Sequence, residues 1–250
     1  MTIRLVTRGD DSGTCENANL AIRDAFVSGM LKNTSLMVPP PALDHAAEVL
    51  ADLPGLCVGL HVTLTSEVEL MKWGPVLPVE KVPSIVNRNG HFYHHVREVA
   101  EHAAVGELIA EVQAQLDLAR ARGFNIEYMD EHMLVGAVPG LRNELDSLGD
   151  REGLDHSHLS LAALPSVEGE FESPLKRFIA RLGAAEPGTY MVVGHPCYDT
   201  EEVRRLWTGR PVPVGHMRDW ERRYFMDPEV LEYCSARGIE AIRFTDLPAA

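Results

Sequence analysis

The stretch Ile3-Arg4-Leu5-Val6-Thr7-Arg8-Gly9-Asp10-Asp11-Ser12-Gly13 decides the fold. Residues 3–7 have the length and apolar content of a buried strand, and the polar turn Asp10-Asp11-Ser12-Gly13 follows where the chain would leave a sheet. Beyond it Ala18, Ile22, Phe26 and Met30 recur every four residues, with Ala21 and Ala25 beside them and Gly29 as a stop signal. Residues 34–38 read as the next strand. Strand, helix, strand in this order is the repeating unit of a parallel sheet with helices packed outside it.

The rhythm continues along the chain. Strands are expected near 56–60, 126–129, 190–193 and 241–244, and helices near 41–51, 105–122, 139–148, 172–182 and 228–237. In the helix at 105–122, Val105, Ile109, Val112, Leu116 and Ala119 form an apolar stripe, and Gly123 suits a left-handed cap. Residues 63–102 break the pattern: Pro75, Pro78 and Pro83, the turn Asn89-Gly90, and the aromatics Trp73, Phe92 and Tyr93 mark an inserted, ordered lid. A chain of 250 residues suffices for one large α/β domain, so 1–250 is expected to be a single unit.

Composition narrows the function classes. A net charge of -14, from 37 acidic and 23 basic residues, repels polyanions and argues against nucleic acid as a partner. Cys15, Cys57, Cys197 and Cys234 form no CxxC pair, so neither a zinc ribbon nor a thioredoxin-like site is expected. No cationic segment precedes an apolar run at the N-terminus and no long apolar stretch occurs, so a cytoplasmic protein without a membrane partner is expected.

Reactive groups of parallel α/β folds gather at the carboxyl ends of the strands. Four places qualify: Asp10-Asp11 after residues 3–7, His61 after Val58-Gly59-Leu60, Asp130 and His132 after residues 126–129, and His195 after Val192-Val193-Gly194. Adjacent carboxylates on a turn cannot both point at one spot, so one can hold a cation while the other accepts a proton. Asp11, His61 and His132 form a carboxylate and two imidazoles that would leave open positions on a divalent ion, the arrangement used to activate water and polarise a carbonyl. Structural readings stand beside these: a capping turn at Asp10-Asp11, a hydrogen-bonded strand histidine at His61, an acidic loop at 130–132. His91, His94, His95 and His102, the tract Asp155-His156-Ser157-His158, and Cys197 are weaker candidates.

The segments 6–13, Asn33-Thr34-Ser35-Leu36-Met37-Val38, Gly59-Leu60-His61-Val62-Thr63-Leu64-Thr65, Asn89-Gly90-His91-Phe92, Asp130-Glu131-His132, Gly194-His195-Pro196 and Arg218-Asp219-Trp220-Glu221 together resemble, in order and spacing, the YdjC-like carbohydrate deacetylases. The resemblance implies a distorted (β/α) barrel of the TIM type and a divalent metal ion, magnesium or zinc. It also implies removal of acetyl groups from N-acetylated sugars or oligosaccharides, and a homodimer. It makes Asp11, His61 and His132 the metal ligands, Asp10 the general base and His195 the acid that protonates the leaving amine. Three positions depart from the family pattern: Ser12 stands in place of an aromatic residue, Leu134 in place of a histidine, and Arg8-Gly9 in place of a smaller apolar pair.

Two other functions share these residue types. A barrel phosphoesterase or sugar isomerase also collects His and Asp around a divalent ion, although no Gly-rich phosphate loop is evident. A non-catalytic carbohydrate-binding relative would keep the fold and lose the chemistry.

Overall fold

A computed structural model describes residues 2–157, 161–207 and 213–247. Strand β1 (Ile3–Ser12) leads into helix α1 (Glu16–Val27), followed by β2 (Asn33–Leu36), α2 (Leu43–Leu50) and β3 (Cys57–Val62). After an irregular stretch come α3 (Val96–His102), α4 (Val105–Ala121), β4 (Ile126–Glu131) and α5 (Leu141–Glu152). The chain ends with β5 (Ala162–Ala163), α6 (Pro174–Gly183), β6 (Gly188–Gly194), α7 (Glu201–Leu206), α8 (Val214–Met226), α9 (Pro228–Ala236) and β7 (Glu240–Ile242).

The expected parallel α/β architecture is present. All pairings between these strands are parallel, in the order β4-β3-β2-β1-β6-β5, with β7 pairing with β1 as well. β6 lies along one side of β1 from Ile3 to Gly9, while the other side is shared, β7 taking Arg4 to Val6 and β2 the later residues. Asn33 stitches that junction: its Nδ2 donates to Thr7 O at 2.9 Å and Ile242 O at 3.1 Å, and its Oδ1 accepts from Phe244 N at 2.8 Å. At the far ends of the sheet, Asp155 hydrogen-bonds to β4 through Glu127 and Met129, and β5 joins β6. Residues 158–160, His158 among them, lie outside the described residues.

Helix positions follow the periodicity with two informative shifts. α1 buries Ala18, Ala21, Ile22 and Ala25, and it stops at Val27, before Gly29. A side chain at Gly29 would meet Phe225 O at 2.1 Å, so this glycine permits α8 to approach closely, and Met30 N bonds that carbonyl at 2.7 Å. In α4 the buried face is Leu108, Glu111, Val112, Gln115, Leu116 and Ala119, rotated away from the apolar stripe so that two polar residues are covered.

Those two residues fasten the segment 63–102. Glu111 accepts from Val76 N at 2.9 Å and Leu77 N at 3.0 Å, while Gln115 both accepts from Thr63 N at 3.2 Å and donates to Thr63 O at 2.8 Å. Trp73, Val82, Ile85, Phe92 and Val99 of the segment pack into the main core. The segment is therefore a built layer of the domain, held by backbone hydrogen bonds to buried side chains. Glu111→Ala strands two amides that bonded a buried carboxylate and should cost about 2–4 kcal/mol. Urea unfolding should show that loss, with hydrogen exchange rising first at residues 63–85.

Candidate active site

The two neighbouring aspartates part company because β1 is irregular at that point. Gly9 pairs with Thr34 but Ser12 with Leu36, so three steps on β1 match two on β2, a bulge that holds Asp10 and Asp11. Asp11 adopts φ 67°, the left-handed region that few non-glycine residues occupy. Gly13 follows at φ 90°, where a side chain would lie 2.1 Å from Met37 O. Thr14 Oγ1 donates to Asp11 O at 2.7 Å and Gly13 N donates to Asn19 Oδ1 at 2.7 Å, pinning the bulge. The pair is not a helix cap: Cys15 occupies that position in α1.

Asp10 turns toward Arg8, which binds it through two contacts, Nε–Oδ1 at 2.6 Å and Nη2–Oδ2 at 2.8 Å. The same guanidinium reaches Asp130 Oδ2 with Nη1 at 2.7 Å. Asp11 turns the other way. Its Oδ1 lies 3.5 Å from His61 Nε2 and 3.3 Å from His132 Nδ1, and its Oδ2 pairs with Arg218 at 2.7 Å. Each imidazole is oriented from behind: His61 Nδ1 by Asp130 Oδ1 at 2.9 Å, His132 Nε2 by Glu67 Oε1 at 2.9 Å. Carboxylate partners of this kind fix the tautomer of a metal-binding histidine.

A metal fits these residues. Asp11, His61 and His132 present one ligand atom each within 4.8 Å of one another. Asp11 Oδ1 is buried with the two imidazole nitrogens beside it, at 3.5 and 3.3 Å, too long for good hydrogen bonds, and a cation held between the three atoms would satisfy it. Burial alone would raise the Asp11 pKa, but Arg218, His132 and His61 outweigh it and hold the carboxyl well below its usual range. Burial pushes both histidines down, yet Asp130 and Asp11 lift His61 to about 10, and Asp11 and Glu67 lift His132 to about 9. A metal ion would therefore have to displace protons from both rings.

His195, at the end of β6, is oriented by α8. Glu221 Oε2 accepts from His195 N at 2.7 Å and lies 3.1 Å from Nδ1, leaving Nε2 available to the cavity. Burial lowers the His195 pKa, but Glu221 and the more distant Asp11 reverse the sign and raise it. Arg8, Asp10, Asp11, His61, Glu67, Glu131, His132, His195 and Arg218, with Met133, Leu134, Trp207 and Val214, line one cavity of about 470 Å³.

All five residues singled out from the sequence, Asp10, Asp11, His61, His132 and His195, thus face one cavity. His91, His94, His95, His102 and Cys197 do not line it. His156 pairs with Asp150 at 2.9 Å on the surface of the domain. Ser12 is fully buried and donates to Ser35 O at 3.0 Å, away from the cavity, whereas Leu134 sits at the mouth, 62 % exposed and at φ 56°. Arg8, Glu67, Arg218 and Glu221 receive no site role from the sequence, although Arg8 and the segment Arg218-Asp219-Trp220-Glu221 enter the family comparison. Arg8 and Asp10 do share a strand face by their spacing, a readable signal. Glu67 lies in irregular chain, and α8, which buries only Val214, Gly215 and Phe225, is not among the helices expected from the sequence.

A sequence profile for YdjC-like proteins matches residues 4–236. The chain belongs to the YdjC-like family. Among its relatives are proteins named carbohydrate deacetylase from Thermoanaerobacter pseudethanolicus, 24% identical over 94% of this chain and 95% of the relative, and from Geobacillus stearothermophilus, 28% identical over 96% of each. A solved structure from Enterococcus faecalis, described as a cellobiose-phosphate cleavage protein, superposes with a TM-score of 0.80 over the whole of both chains at 22% identity. That likeness is one of fold.

Glu221→Gln should return the His195 pKa toward the ordinary imidazole value, read by NMR titration of the ring protons. The sign also predicts stability. A raised folded-state value stabilises the protein below the unfolded pKa of 6.5 and loses that contribution as pH rises through the raised value, a dependence the variant should lack.

Proposed function

We propose that this protein is a divalent-metal-dependent deacetylase acting on N-acetylated sugars or oligosaccharides. The observation that carries the reading is the convergence of His61 Nε2 and His132 Nδ1 on the buried Asp11 Oδ1, at 3.5 and 3.3 Å, in a cavity that also holds Asp10 and His195. Relatives along the full chain that carry the name carbohydrate deacetylase support the substrate class.

In this reading Asp11, His61 and His132 hold the ion, which when bound polarises the amide carbonyl and acidifies a water. Asp10 takes a proton from the attacking water, whose oxygen bonds to the carbonyl carbon; the Asp10 oxygens each accept one bond from Arg8 and retain a lone pair. His195, whose pKa Glu221 raises against the effect of burial, gives a proton to the departing amine nitrogen as the amide C–N bond breaks and acetate leaves. Glu67 and Asp130 keep the imidazoles turned toward the ion. The cavity volume of about 470 Å³ lies within the range of small-ligand sites, and Trp207 and Val214 supply its apolar wall.

A phosphoesterase or isomerase is the second reading. It is disfavoured because the two guanidiniums lining the cavity are already engaged, Arg8 with Asp10 and Asp130, Arg218 with Asp11. Magnesium and zinc are the ions to test. A cytoplasmic location and a homodimer complete the proposal; all four cysteines are free and buried, as suits a reducing compartment.

Acetate release from acetylated mono- and disaccharides, with and without chelator, tests the activity; phosphate release or sugar isomerisation without acetate would replace it with the second reading. His61→Ala and His132→Ala should each lose ion and turnover together. Asp10→Asn should retain the ion while turnover falls by about 10²–10⁴-fold, as for loss of a positioned general base. Asp11→Asn should instead weaken the ion. Stoichiometric ion with normal turnover in either histidine variant would overturn the ligand set.

A further inference from the structure

Two clusters of ligand-capable atoms share His61. One is Asp11, His61 and His132; the other is Asp10, His61 and Asp130, likewise within 4.8 Å of one another and buried. Two carboxylates beside an imidazole offer the donor set of a second divalent-ion site next to the first. The second cluster differs from the first in one respect: it already contains a cation.

That cation is Arg8. Its guanidinium makes three short contacts, to Asp10 Oδ1 at 2.6 Å, to Asp10 Oδ2 at 2.8 Å and to Asp130 Oδ2 at 2.7 Å. The side chain is only 9% exposed, and a guanidinium cannot give up its charge by deprotonation. The planar fork matches carboxylates geometrically, so both acids are neutralised without an ion. Asp130 is held further by Ser35 Oγ at 2.8 Å, which leaves Oδ1 directed at His61 Nδ1, 2.9 Å away. Arg8 thereby sets, through Asp130, which nitrogen of His61 faces Asp11.

We propose that Arg8 is a built-in cation that fills the second carboxylate–imidazole cluster, limiting the site to one divalent ion while positioning Asp10 and, through Asp130, His61. The inference rests on the metal-binding reading of Asp11, His61 and His132. Replacing Arg8 by a short neutral residue removes the cation shared by Asp10 and Asp130 and leaves His61 and Ser35 as the described partners of Asp130, and a second ion is the group that restores the lost charge.

The test is ion stoichiometry, independent of activity. The full chain is stripped with chelator, loaded with Mn²⁺, passed over a desalting column and assayed for manganese per chain, with electron paramagnetic resonance to distinguish isolated from exchange-coupled ions. Wild type should hold one isolated Mn²⁺, and Arg8→Ala two coupled ions. Folded Arg8→Ala that still binds one ion overturns the proposal. Should Arg8→Ala be unfolded without metal, Mn²⁺ titration followed by circular dichroism decides: recovery of native signal with two ions per chain supports it, and no recovery overturns it. Wild type binding two coupled ions overturns the role of Arg8 but leaves the metal-dependent reading intact. Wild type binding none overturns that reading first, and this inference with it.

Discussion

Everything chemical in this protein depends on one extra residue in β1. Without the bulge at Asp10 and Asp11, successive side chains would point to opposite faces of the sheet, and one carboxylate would leave the cavity. With it, and with Asp11 at φ 67°, both stay at the carboxyl end of the sheet yet diverge. Asp10 meets Arg8, and Asp11 meets His61, His132 and Arg218. The strained conformation is held by Thr14 and Asn19, side chains with no part in the chemistry. Here local strain is maintained because the surroundings over-determine it.

The second constraint is charge. Asp10, Asp11, Asp130 and Glu67 are brought close together largely out of solvent, an arrangement whose like charges would drive the groups apart. Arg8 and Arg218 reverse that tendency, since each guanidinium is buried against its acid. The two imidazoles complete the balance, and their protons are what an incoming ion would exchange for. One layer outward, Glu221 does for His195 what Asp130 and Glu67 do for the other two rings. Three histidines are thus each turned by a dedicated carboxylate from a different part of the chain.

The scaffold explains why those carboxylates arrive. α4 spends two buried positions, Glu111 and Gln115, on the backbone of residues 63–77, and that anchored stretch carries Glu67 to His132. Gly29 lets α8 come within hydrogen-bonding distance of the turn after α1, and α8 carries Arg218 and Glu221 inward. Packing of the outer layers and orientation of the inner ones are therefore a single problem in this fold.

The sequence by itself determined the parallel α/β plan and the five side chains at its strand ends, because both are short-range properties. An apolar run of strand length, a stripe every three to four residues, and a polar residue directly after the run are visible without knowing what packs where. The departures arose where long-range contacts decide. Periodicity reads the inward stripe of α4 as apolar, whereas the buried face is rotated to take in Glu111 and Gln115, which bond backbone groups across the interface. α8 buries only Val214, Gly215 and Phe225 and leaves its other apolar residues partly exposed, and its packing on α1 and β6 is what brings Arg218 and Glu221 to the site. Which of two adjacent aspartates faces the histidines, and that Arg8 occupies the space beside the other, follows from a bulge and from atoms some hundred and twenty residues apart in the chain, Arg8 and Asp130. Local pattern can name the reactive residues; their partners are chosen by tertiary proximity, because electrostatic pairing acts through space and leaves no period in the sequence.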